Sequence, residues 1–175
     1  MIRIVTESMS DFTQEEAKAA DLIVMPLPIR FGMEEYWDDG VSLTQDDFYA
    51  RLRVAKELPK TSQVPVEHYR KCFNRLLENP EDEVLVITGS SKLSGCYQSA
   101  CIAREACHDP ARVTVLDSLN ATCAEYMLVD QALRYRREGV SNMQTMLAKL
   151  RDVMAHYKIC LLYTSPSPRD RTRSR

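Results

Sequence analysis

Residues 83–95 read Glu-Val-Leu-Val-Ile-Thr-Gly-Ser-Ser-Lys-Leu-Ser-Gly. Val84–Ile87 is a short apolar run with three β-branched residues, the composition of a strand buried on both faces. Gly89 ends the run and a hydroxyl-rich turn follows. From about Gly95 to Cys107 the pattern is helical. Ser94 stands where an N-cap belongs, and the N–H groups beyond it form an anion site. Strand, polar turn and helix in this order make half of a βαβ unit.

The flanking sequence repeats the theme. Ile2–Thr6 alternates apolar and polar residues and reads as a first strand. Thr13-Gln-Glu-Glu16 starts a helix with acids in its first turn. Leu22–Phe31 reads as a second strand, which Pro26 and Pro28 confine to a sheet edge, because each removes a ladder donor. Asp38-Asp39-Gly40 is a turn. Thr44–Asp47 caps a helix with Phe48, Leu52 and Ala55 on one face, and Pro59 ends it. Pro65 opens a helix whose Tyr69, Cys72, Phe73, Leu76 and Leu77 form a full apolar stripe. Val113–Leu116 predicts a strand, residues 121–137 and 142–157 predict helices, and Lys158–Tyr163 predicts one more strand. The fold class expected is α/β, with a mainly parallel sheet flanked by helices.

Composition agrees with a globular domain. The chain has 175 residues, 45% apolar and 27% charged, and a net charge of -2. Near-balanced charge gives no nucleic-acid footprint. The longest apolar stretch, Leu22–Ile29, holds two prolines, whereas a spanning helix needs roughly 20 residues, so no membrane insertion is expected. The N-terminus carries Glu7 and Asp11 and no apolar signal region. Six cysteines without a C-x-x-C pair predict free thiols in a cytoplasmic setting. Cys96 and Cys107, three helical turns apart with His108 adjacent, lack the paired spacing of a metal site, so no metal or cofactor is expected. Residues 164–175 contain no apolar side chain and carry Arg169, Arg171, Arg173 and Arg175. They are expected to be a disordered, non-native tail.

Parallel α/β sheets bind ligands beyond the carboxyl ends of their strands. Three polar loops leave those ends: Thr6-Glu-Ser8, Thr88–Gly95 and Asp117-Ser118. Two segments stand out as candidates. Lys60-Thr61-Ser62-Gln63 lies between two prolines, and its plainest reading is a helix–helix connector with local side-chain caps. Gly89–Gly95 is neither a P-loop nor a nucleophile elbow. For Ser91 or Ser94 to act as a nucleophile a base is needed. His68, His108 and His156 are scattered, and nothing in the sequence places Lys92 beside a serine.

Taken together and in order, Thr6-Glu-Ser8, Pro26-Leu-Pro28, Lys60–Gln63, Ser90-Ser-Lys-Leu-Ser-Gly-Cys-Tyr-Gln-Ser-Ala100 and Val113–Ser118 resemble the DegV family of bacterial fatty-acid-binding proteins. The resemblance covers residues 1 to about 160. It implies a first α/β domain over 1–157, residues 158–163 as the first strand of a second domain, and that second domain largely missing. It also implies a fatty acid such as palmitate with its carboxylate held by Thr61 and Ser94. Ser62, Ser91 and Gly95 would support the site. The family's binding proteins are not catalysts, and present the acid to a separate fatty-acid kinase catalytic subunit. The chain departs from the family pattern at Glu7, where Asp is usual, and at Val64, where Pro usually follows Gln63 directly. From the residues alone a second reading stands: a small α/β enzyme using the serine-rich loop on an acyl or phosphorylated substrate.

Overall fold

In the computed structural model, which describes residues 1–157, the elements run β1 (Ile2–Glu7), α1 (Gln14–Ala19), β2 (Leu22–Met25), β3 (Pro28–Phe31), β4 (Glu34–Trp37), α2 (Gln45–Val54), β5 (Lys60–Thr61), α3 (Val66–Leu76), β6 (Glu83–Thr88), α4 (Cys96–Glu105), β7 (Val113–Asp117), α5 (Cys123–Arg137) and α6 (Met143–His156). The strand expected at 158–163 and the tail at 164–175 lie outside the described residues.

Two sheets form. The larger is wholly parallel, in the order β2-β1-β6-β7. Its strands are covered on both faces. In β6, Val84 and Val86 point into a core with α3 and α4 that includes Tyr69, Phe73, Cys96 and Ala100. Leu85 and Ile87 point the other way, onto Leu128, Ala132, Met146 and Leu150 of α5 and α6. This is the period-two alternation of a strand buried twice over, and it explains why β6 is apolar throughout.

From β1 the chain winds outward to β2, and from β6 outward to β7 in the opposite direction. Between β1 and β6 lies the switch point, where two connections leave in opposite senses. Glu7 ends β1 there, and Gly89 follows β6.

The run Leu22–Phe31 is not one strand but two. β2 is the edge of the parallel sheet and ends before either proline. At Pro26 the chain leaves that sheet, and Pro28–Phe31 becomes the centre of a small antiparallel sheet, β4-β3-β5. Pro26 has no N–H to continue the ladder, and Leu27 N–H is held instead by Ser8 Oγ at 3.1 Å. The presumed connector at Lys60–Thr61 is therefore an edge strand, pairing Ile29 with Thr61 and Arg30 with Lys60. At α1 Thr13 and Glu16 form the capping box that the sequence implies.

Candidate functional site

Thr61 is fixed by the small sheet. It sits opposite Ile29, and the next N–H, of Ser62, bonds to Pro28 O at 3.1 Å. Thr61 and Ser62 are both exposed. Beyond them Val64 turns fully into the core, and its N–H donates to Cys96 Sγ at 3.4 Å. The extra residue before Pro65 thus anchors this segment to the start of α4.

The serine-rich loop leaves β6 and folds back on itself. Ser94 N–H and Leu93 N–H both bond to Ser90 O, at 3.0 and 2.9 Å. Ser90 N–H bonds to Asn120 O at 2.6 Å, and Ser91 N–H to the Asp117 carboxylate at 3.2 Å. Ser91 itself is exposed, while Ser94 and Gly95 are half-buried. The residue that caps α4 is Gly95, not Ser94 as the sequence suggests. Ser94 acts from one position upstream: its Oγ accepts Cys96 N–H at 3.2 Å.

The structure brings the two candidate segments into contact. Gln63 packs on Gly95, and Val64 bonds to Cys96. Ser91 faces β7 instead. Among the described residues no histidine or lysine hydrogen-bonds to Ser91 or Ser94. His68 stacks against Trp37, ring centroids 4.9 Å apart, and His156 Nδ1 bonds to Asp152 O. The larger of the two main cavities, about 460 Å³, lies elsewhere, where Phe31 and Gly32 face Arg51, Val54 and Ala55. Neither Thr61 nor Ser94 lines it. It touches the small sheet on the strand that positions Thr61, but it does not extend to the hydroxyls.

Beneath the loop lies a group of side chains that the sequence reading did not assemble. Glu7 does not line an open pocket; its carboxyl is fully buried. It accepts Gly89 N–H at 2.9 Å and Tyr69 O–H at 2.9 Å. Burial raises its pKa, against the pull of those donors. Cys96 is pushed up to about 11 by burial and then by the Glu7 charge, so it remains a thiol and a donor. Glu125 of α5 is equally buried. Its Oε1 accepts Thr6 Oγ1 at 3.0 Å, and its Oε2 has no partner among the described residues. Burial first, and Glu7 second, raise its pKa to about 9. A signal for Glu125 exists in the sequence: it shares an i, i+3, i+4 stripe with Leu128, Val129 and Ala132, the buried face of α5.

The family model described as "Uncharacterised protein, DegV family" matches residues 1–165. A DegV domain-containing protein of Caldanaerobacter subterraneus is 36% identical over 168 residues, covering 93% of this chain and 59% of the relative. A protein of Thermotoga maritima named fatty acid-binding protein is 33% identical over 160 residues, covering 87% and 52% respectively. Among solved structures, a stearic acid-binding protein from Eubacterium ventriosum superposes with a TM-score of 0.78 at 30% identity, over 86% of this chain and 52% of that one. The chain spans somewhat over half the length of these relatives. The chain belongs to the DegV family.

Proposed function

We propose that this chain binds a long-chain fatty acid, with Thr61 and Ser94 holding the carboxylate and Ser62, Ser91 and Gly95 shaping the loop around it. The observation that carries the reading is the contact between the two segments, Gln63 on Gly95 and Val64 on Cys96, at the carboxyl end of the parallel sheet. Relatives named for fatty-acid and stearic-acid binding support it.

The physics is favourable. Hydroxyl and backbone donors at a helix N-terminus satisfy a carboxylate without a full opposite charge. Each buried CH₂ of the tail adds about 0.8 kcal/mol, so a dozen supply roughly 10 kcal/mol before ordering costs. A head group held without a strong ion pair is also easily released. In this proposal the chain is not a catalyst but presents the carboxylate, in the cytoplasm, to a separate ATP-dependent kinase for phosphorylation.

Native mass spectrometry of protein expressed in bacteria, followed by a palmitate titration, tests the reading. A co-purified C16 to C18 acid is expected. Empty protein that ignores palmitate but hydrolyses an acyl ester would replace this proposal with the enzyme reading.

A further inference from the structure

Glu7 and Glu125 approach each other from different elements, β1 and α5. Glu7 Oε1 and Glu125 Oε2 both approach Gly89: a Cβ added there would lie 3.1 Å from the first and 3.0 Å from the second, and would overlap Met9 Cε, which packs against the glycine beside them. Both side chains are fully buried, and neither forms an ion pair among the described residues. The titratable groups around them are acidic or neutral: Tyr69 on α3, Cys96 on α4, Asp117 on β7, Asp11 after β1 and Tyr157 after α6. Two carboxylates so placed cannot both ionise cheaply.

The donors decide where a single proton goes. Glu7 receives an N–H and an O–H donor and is built to be the anion. Glu125 Oε2 receives none among the described residues and faces the same glycine as Glu7 Oε1. A proton on Glu125 Oε2 removes the second buried charge and turns that orphaned acceptor into a donor.

We propose that Glu7 and Glu125 share one proton, carried on Glu125 Oε2, and that this pair positions the Gly89–Cys96 loop. Glu7 holds one end of that loop, at Gly89 N–H, and its charge acts on Cys96 at the other. Through Cys96 it reaches Val64, and so the Thr61 segment. Loss of the proton places a second negative charge under the loop and opens it. The inference rests on the fatty-acid reading for its consequence: an ionised pair repels a carboxylate at Ser94. The pair itself needs no ligand.

Its test therefore uses none. Infrared difference spectra of the whole chain should show a protonated-carboxyl C=O band at pH 7 that disappears only in the alkaline range and is absent from Glu125→Gln. Hydrogen exchange of residues 89–96, corrected for intrinsic rates, should rise more than tenfold in wild type as the band is lost. Glu125→Gln, which keeps a donor at the Oε2 position, should stay protected at pH 9, and Glu125→Leu should not. Absence of the band at pH 7 in wild type would overturn the proposal, whether or not the variants fold. So would equal protection of the Gln and Leu variants. Failure to bind palmitate with the band intact would overturn the fatty-acid reading alone.

Discussion

Gln63 occupies the space that a side chain on Gly95 would need. A Cβ built on Gly95 would overlap Gln63 Oε1 and lie 2.7 Å from its Cδ. Gly95 has φ -80°, which any residue can adopt, so glycine is required here for close approach and not for backbone freedom. Two segments separated by some thirty residues are thus fitted to each other at one point.

Gly95→Ala should displace the Gln63 side chain and weaken ligand binding, while costing the fold about 1 kcal/mol or less, because the colliding atoms end a flexible chain. Gln63→Ala should remove the conflict. Thermal denaturation of both single variants and the double variant forms a cycle, with a coupling of at least about 0.5 kcal/mol expected. Simple additivity would mean that the contact carries no energy.

Thr61→Ala and Ser94→Ala should each weaken palmitate binding by about 1 to 3 kcal/mol, through an unpaired carboxylate oxygen. The measurement is best made with the domain joined to a second domain of the length its relatives carry. Without ligand the two differ. Ser94→Ala strips the acceptor from Cys96 N–H and should lower stability by about 1 kcal/mol. Thr61 is exposed on a two-residue edge strand, and its loss should cost under about 0.5 kcal/mol. Equal losses in the two apo proteins would mark both residues as structural.

Stability should fall between pH 6 and 9. Glu125 has an ordinary value of 4.5 and a folded value of about 9. Between these the folded chain holds a proton that the unfolded chain has lost. The stabilisation is full below about 4.5 and drains as pH rises through 9, by at most about 1.4 kcal/mol per unit. The exposed carboxylates whose values are lowered by donors, Glu16, Glu34, Glu67 and Asp109, act below this window. Urea unfolding across the window should give a negative slope in wild type and a flatter one in Glu125→Gln. A parallel slope in the variant would assign the effect to other groups.

Self-association is the fourth expectation. Met33, Val41, Val54 and Leu58, near the small sheet and α2, are each at least 80% exposed, and exposed apolar side chains that cluster favour association. Light scattering at micromolar concentration should report species larger than the monomer, and Met33→Ser with Leu58→Ser should reduce them. A monodisperse wild-type chain would show that these side chains are tolerated in water.

The sequence by itself determined the parallel layer. β1, β6 and β7 are short β-branched runs, α3 carries a five-residue apolar stripe, and capping residues mark α1 and α2, because local pattern and burial coincide there. Ser94 was likewise legible as a hydroxyl in the loop beyond a strand end, whereas Thr61 read as part of a helix–helix connector and stands in an edge strand. Only the tertiary structure decided the rest. Leu22–Phe31 is one apolar run, and its division between two sheets depends on where Pro26 and Leu27 find partners, Ser8 among them. β4 offers two exposed glutamates and no alternation, so nothing local announces it. Gly95 takes the N-cap position, and Ser94 Oγ holds Cys96 N–H from one residue upstream. The burial of Glu7 beside Glu125 joins residues 118 positions apart. Charge alone places both on the surface, and only the packing of α5 across the end of β1 puts them inside.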